Sequence, residues 1–319
     1  MTIETPGIRA DANSPLTAAG GQGLFAAASA VAADIKIAHS VFALPFALLA
    51  VFLAREAGEG AGGLAAKLLL VVLCMVSART WAMLVNRLAD REFDAANPRT
   101  ARRALPSGRL TVRQGWGAAA VAAGAFVACA AGFGVGFGNW WPALLSVSAL
   151  AWIAFYSFTK RFTALCHLFL GGALGASPLC AAIAVNPAAL ADTPALWWLA
   201  GMVVCWVAGF DVIYSLQDLD FDREAGLASI PAGLGARGAA WVSRGLHVGA
   251  VTCLALAWGS EPRFGVLFGG ALAATVVLLV TEHAVLVRRG LAGLDLAFFT
   301  LNGVVSCVLG AAGIADVLL

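Results

Sequence analysis

The sequence predicts an all-α, polytopic membrane protein: a bundle of about nine transmembrane helices that carries two pseudo-repeated DxxxD motifs. Three observations lead there. Of the 319 residues, 61% are hydrophobic and 12% charged, a balance unlike that of soluble domains. The apolar residues fall into runs close to the roughly 20 residues that carry a helix across a hydrocarbon layer. Arginine and lysine concentrate in alternate connections between those runs.

In chain order, the expected spans are 37–54, 66–85, 115–136, 141–158, 164–185, 195–216, 238–258, 264–286 and 294–315. Glycine and alanine are abundant within them, which suits close helix packing in lipid. The stretch 1–33 is rich in Ala and Gly, carries Glu4 and Asp11, and lacks the basic start and cleavage site of a signal peptide. It is expected to be a surface or disordered segment ahead of one membrane domain, 34–319. Seven cysteines are scattered without close pairs, which argues for apolar filler rather than a zinc site or disulfide framework.

The formal net charge of +2 provides no field for nucleic acid, so no nucleic-acid partner is expected; membrane lipid is the expected surroundings. The distribution of charge is informative. Arg87, Arg91, Arg99, Arg102, Arg103, Arg109 and Arg113 fall between spans two and three, and Lys160 with Arg161 between four and five. Arg223 and Arg237 follow span six, and Arg288 and Arg289 follow span eight. The positive-inside rule then places the N-terminus and these loops in the cytoplasm, as in a multi-pass protein of a bacterial-type inner membrane. Trp140, Trp141, Trp197 and Trp198 sit at the opposite ends of their spans, as interfacial belts do.

The segment NRLADREFDAANPRTARRALPSG begins at Asn86, where the second span ends. YSLQDLDFDREAGLASIPAG begins at Tyr214, where the sixth ends. Superposed, Asn86 falls on Tyr214, Asp90 on Asp218 and Asp94 on Asp222, so the chain contains an internal repeat. Residues four apart share a helix face, so each motif is expected to present two carboxylates to one side, with Glu92 and Asp220 turned away. Clustered carboxylates repel unless something cationic sits among them, and hard oxygen ligands with room for water favour Mg²⁺. One DxxxD alone would read as a solvated face; two in matching contexts point to metal and diphosphate binding.

These motifs, their spacing and the nine-span pattern resemble the UbiA superfamily of intramembrane prenyltransferases across essentially the whole chain. The resemblance implies a helical bundle around a lipid-facing cavity, Mg²⁺ dependence and a polyprenyl diphosphate donor. It implies a first metal and diphosphate cluster of Asn86, Asp90 and Asp94, and a second of Asp218 and Asp222. The segment FYSFTKRFT is similar to the family's fourth-helix end, which places Tyr156 near the reacting centre and Lys160 with Arg161 near diphosphate. The segments IKIAHSVFALPFAL and FDVIYSLQDLDFDREAGLASIPAGLG look most like bacterial members that prenylate 4-hydroxybenzoate or a dihydroxynaphthoate, in ubiquinone or menaquinone biosynthesis. A terpene cyclase or a prenyltransferase with another acceptor is the alternative within the family, and a transporter the alternative outside it.

Seven further positions complete the expected site. Arg79 lies seven residues before Asn86 and Asp211 seven before Asp218; they are either substrate-binding groups or an ion pair that locks two helices. Lys36 and His39 share a face and suit the carboxylate of a small aromatic acid, or are a snorkelling cation and an interfacial ring. Arg99, Arg102 and Arg103 follow the first acidic cluster closely and are expected to order over diphosphate, because the forked guanidinium suits phosphate.

Overall fold

The computed structural model describes residues 42–56, 58–294 and 296–319, so Lys36, His39 and the 1–33 segment lie outside the described residues. All regular structure among the described residues is helical. The long helices are α2 (Ala61–Ala89), α4 (Val112–Phe137), α5 (Trp141–Thr159), α6 (Cys166–Val185), α8 (Ala195–Tyr214), α10 (Ile230–Ser260), α11 (Val266–Arg289) and α12 (Asn302–Leu318). Short helices α1 (Leu44–Ala54), α3 (Arg91–Ala96), α7 (Ala189–Asp192) and α9 (Leu219–Glu224) complete the set. Among the described residues, eight segments are long and apolar enough to cross a membrane, and they correspond to expected spans two to nine. Of the first expected span, Leu44–Ala54 is described as α-helix, and seven of its eleven residues are buried.

Several helices outrun their apolar windows, because backbone hydrogen bonding continues into the polar ends where caps take over. Thr111 and Gln114 form a reciprocal capping box at the start of α4, and Ser229 caps α10. In α10 the backbone turns at Gly235, whose φ of +69° only glycine adopts without strain, so the helix is kinked just inside its start.

Helix α8 is the hub. Trp206, Met202, Leu199 and Leu196 are fully buried within the principal core, and α8 packs on α6 and α10. Its tight contact with α6 depends on missing side chains. A Cβ on Gly171 would stand 2.4 Å from the Val204 carbonyl oxygen, and one on Gly175 would stand 2.5 Å from Val204 Cγ2. This four-residue spacing of glycines lets two backbones approach as small residues do between membrane helices. Across α8, Trp206 Nε1 donates to Asn302 Oδ1 at 2.6 Å, which fixes the indole against α12.

Trp140, Trp141, Trp197 and Trp198 are exposed at the helix ends remote from the acidic motifs, where a belt is expected. Gly171→Ala is expected to lower the melting temperature of the purified protein, since overpacking a tight contact costs about 1–3 kcal/mol. Gly124→Ala, with open space around its added Cβ, is expected to leave it unchanged or raise it. Scanning fluorimetry in one detergent compares the two.

Candidate active site

Both acidic motifs sit on a broken helix rather than the continuous one expected. Helix α2 ends at Ala89; Asp90 takes φ −93°, ψ 8°, and α3 restarts at Arg91. Helix α8 runs into a 3₁₀ turn, Ser215–Asp218, and Asp218 takes φ −105°, ψ 6° before α9 restarts at Leu219. The first aspartate of each motif therefore occupies the same sparsely populated bridge region, which recurs at functional sites. Across the first break the Asp94 N–H still donates to the Asp90 carbonyl at 2.7 Å, which preserves the four-residue relation.

The carboxylates are not solvated helix faces. Asp90, Asp94 and Asp222 are only 3%, 6% and 8% exposed, whereas Glu92 and Asp220 are exposed as the spacing requires. Each buried acid is held by a group from another segment. Lys160 Nζ lies 2.9 Å from Asp90 Oδ2, and Arg161 donates to Asp90 Oδ1 at 3.2 Å and to the Ala89 carbonyl at 2.7 Å. Arg103 donates to Asp94 Oδ1 at 2.6 Å, and Ser229 donates to Asp222 Oδ2 at 2.9 Å. Arg99, from the loop after the first motif, grips both oxygens of Asp218 in the second, and Asn97 Nδ2 adds a bond to Oδ1 at 3.0 Å. Burial pushes the Asp90 carboxyl above its ordinary pKa, against the pull of Lys160 and Arg161.

These groups, Arg161 apart, form the mouth of a cavity of about 550 Å³. Asn86, Arg102, Tyr156 and Tyr214 also line it, and its apolar wall includes Phe42, Leu170, Leu174, Val207 and Phe210. Arg79 and Asp211 line it too, but they are not paired with each other. Asp211 Oδ2 instead lies 2.7 Å from His167 Nδ1. The buried Nε of Arg79 has no hydrogen-bond partner among the described residues, and its Nη2 approaches only the Met83 sulfur at 3.8 Å.

Of the expected site residues, the structure gathers Arg79, Asn86, Asp90, Asp94, Arg99, Arg102, Arg103, Tyr156, Lys160, Asp211, Tyr214, Asp218 and Asp222 around this cavity. Arg161 does not line it; it braces Asp90 and the C-terminal end of α2, where a cation complements the helix dipole. Arg102 is exposed, and its carbonyl accepts from Arg109 Nη2, so among the three loop arginines Arg99 and Arg103 are the ones that reach the acids. The residues missed by sequence reasoning are Asn97, His167 and Ser229. Ser229 was legible as a helix N-cap just before an Ile-Pro start, and His167 as an ionisable group inside an apolar run.

The donor set suits a hard divalent cation. All candidate ligands are oxygen donors, each motif supplies two carboxylates, and Asp94 Oδ2 is buried without a hydrogen-bond partner. No group of three or more His, Cys, Asp or Glu among the described residues is arranged to enclose a metal. Mg²⁺ is commonly held by one or two carboxylates plus substrate phosphates rather than by an all-protein cage, so the two observations agree.

The UbiA prenyltransferase family matches residues 43–304. A 4-hydroxybenzoate octaprenyltransferase from Pseudoalteromonas atlantica is 35% identical over 153 residues, 47% of this chain and 50% of that protein. One from Chromohalobacter salexigens is 32% identical over 223 residues, 70% of this chain and 71% of that protein. The chain spans about half the length of the first curated relatives it matches. The apo structure of a UbiA homologue from Aeropyrum pernix K1 is 33% identical, with a TM-score of 0.78 over 89% of this chain and 99% of that one. A UbiA homologue from Archaeoglobus fulgidus bound to DMAPP and Mg²⁺ shares the fold at 16% identity and a TM-score of 0.66, over 91% of this chain and 99% of that one. With the family match covering most of the described helices and both acidic motifs, the chain belongs to the UbiA prenyltransferase family.

Proposed function

We propose that this protein transfers a polyprenyl group from a Mg²⁺-bound prenyl diphosphate to 4-hydroxybenzoate, at the cytoplasmic face of a bacterial-type inner membrane, in ubiquinone-type biosynthesis. The observation that carries the proposal is the joining of both acidic motifs, through Arg99 and Asp218, at the charged mouth of one cavity with an apolar wall. The names of the curated relatives support the acceptor. The Archaeoglobus fulgidus homologues bound to DMAPP or GPP with Mg²⁺ support the donor and the metal. The one-sided distribution of arginines supports the orientation.

Asp90 and Asp94 with Asn86, and Asp218 with Asp222, would hold Mg²⁺, which when bound supplies Lewis-acid neutralisation of the diphosphate. The chain's own groups account for the rest. As the allylic C–O bond breaks, negative charge grows on the departing diphosphate, and Arg99, Arg103 and Lys160 answer it from the mouth. Each already holds a carboxylate there, so donor phosphates exchange with carboxylates for the same cations. The apolar wall excludes water that would trap the allylic cation, leaving the electron-rich ring as the nucleophile. Arg79, with its unpartnered Nε in the cavity wall, suits the carboxylate of the acceptor. Lys36 and His39 are a second candidate anchor for it.

The test is product mass spectrometry of membranes given 4-hydroxybenzoate, a dihydroxynaphthoate, mixed prenyl diphosphates and Mg²⁺. Prenylated 4-hydroxybenzoate is the expected main product; prenylated naphthoate alone would reassign the acceptor. At equal amounts of folded protein, Asp90→Asn and Asp218→Asn are each expected to cost about two decades of rate or more. Asp220→Asn, exposed and outside the site, serves as the control. Near-parental turnover in either cluster variant would contradict the mechanism.

Arg99→Lys preserves the positive charge but loses the two-pronged grip on Asp218, so the KM for the prenyl diphosphate is expected to rise about tenfold, the worth of roughly 1.4 kcal/mol. Arg102→Lys is expected to change it less. Equal KM values for Arg99→Lys and the parent would leave the loop arginines as topology signals.

A further inference from the structure

Electrophilic substitution on an aromatic ring ends with the loss of a ring proton, and the groups that serve the diphosphate are poorly suited to receive it. Among the described residues, five aspartates line the cavity. Asp90, Asp94 and Asp218 are engaged by Lys160 and Arg161, by Arg103 and by Arg99, and Asp222 by Ser229. Asp211 differs. It precedes Asp218 by seven residues, beside Phe210 on the apolar stretch of α8, and its hydrogen-bond partner is the His167 imidazole rather than a guanidinium or ammonium. Its Oδ1 has no hydrogen-bond partner among the described residues.

His167 is 2% exposed and has both ring nitrogens engaged. The Ile230 backbone N–H, which can only donate, approaches Nε2 at 3.4 Å, so Nε2 is the acceptor and Nδ1 carries the proton it donates to Asp211 Oδ2. The imidazole therefore orients the carboxylate and is not itself free to take a proton. Backbone packing sets the pair: Gly171, one turn after His167, rests directly on α8 at Val204.

We infer that Asp211 is the general base that removes the ring proton after prenyl transfer, and that His167 is its positioning residue; this rests on the proposed transfer to an aromatic acid. The step follows cleavage of the allylic C–O bond and formation of the C–C bond between prenyl group and ring. The C–H bond at the substituted ring carbon breaks and its electron pair restores aromaticity. The proton passes to Asp211 Oδ1, converting the carboxylate to a carboxylic acid, and the departing diphosphate or water carries it away.

The test compares the full-length parent, Asp211→Asn, His167→Leu and His167→Asn in membranes, with acceptor bearing hydrogen or deuterium at the ring positions open to substitution. The parent is expected to show no ring-deuterium effect on kcat, because ionisation is the slower step. Asp211→Asn is expected to lose about a hundredfold in kcat, within the usual range for a positioned base, with little change in acceptor KM. A normal isotope effect should appear in it, because proton loss has become slow. His167→Leu should show a weaker version of that effect. His167→Asn, whose amide N–H replaces Nδ1–H, should remove most of it. A purely structural role lowers kcat without creating an isotope effect, so a slow, isotope-silent Asp211→Asn overturns the inference while the parent's activity leaves the proposed function standing. Identical behaviour of the two His167 variants removes the positioning role. A parent that prenylates no aromatic acid overturns both readings together.

Discussion

Carboxylates gathered at one end of a membrane bundle repel one another, and the organisation of this protein answers that repulsion. Removing a charge from water is costly unless an opposite charge or a hydrogen bond compensates it. Each buried acid of the two motifs has such a partner, and the partner is carried by a different segment from the acid. Lys160 and Arg161 arrive from the end of α5, Arg103 and Arg99 from the loop after α3, and Ser229 from the start of α10. The Ala228 N–H donates to the Lys160 carbonyl at 2.7 Å, so the segment that supplies Ser229 is tied to the one that supplies Lys160. Charge neutralisation thus assembles the mouth of the cavity, and the same cations are available to phosphate when a donor enters.

The halves of the site are legible to different degrees. Asp90, Asp94, Asp218 and Asp222 stand out because the motif is duplicated at the ends of two apolar runs, and duplication is a property of the sequence alone. Pairings such as Arg99 with Asp218 join residues more than a hundred positions apart and depend on how the bundle closes. The break at the first aspartate of each motif was also hidden, since Ala-Asp-Arg and Gln-Asp-Leu contain no glycine or proline to mark it. His167 is one titratable side chain in an apolar helix, and only its distance to Asp211 gives it meaning. Eight expected spans are present because a 20-residue apolar run has few other solutions, but their ends drift where caps rather than hydropathy decide.

Two layers of constraint meet on α8. Apart from the exposed Trp197 and Trp198, its apolar turns are largely buried in the principal core, while its last turn carries Asp211 and Tyr214 into the cavity before the helix breaks at Asp218. The Trp206 to Asn302 bond and the Gly171 to Val204 contact fix α8 from two sides. Rigid helices, rather than loops, therefore set the depth of the cavity, and precision of this kind favours holding reactants in one geometry. The charged loop at the mouth contributes the groups that must exchange partners.

The central claim is that the two acidic motifs together receive a metal-bound diphosphate. Equilibrium binding of an unreactive prenyl thiodiphosphate to the purified protein, measured calorimetrically with Mg²⁺ and again with EDTA, tests it most directly. The account expects saturable binding with Mg²⁺ that is lost with EDTA and weakens as salt screens the mouth. Equal affinity with and without Mg²⁺ would contradict it, because the arginines and lysine alone would then suffice to hold the diphosphate.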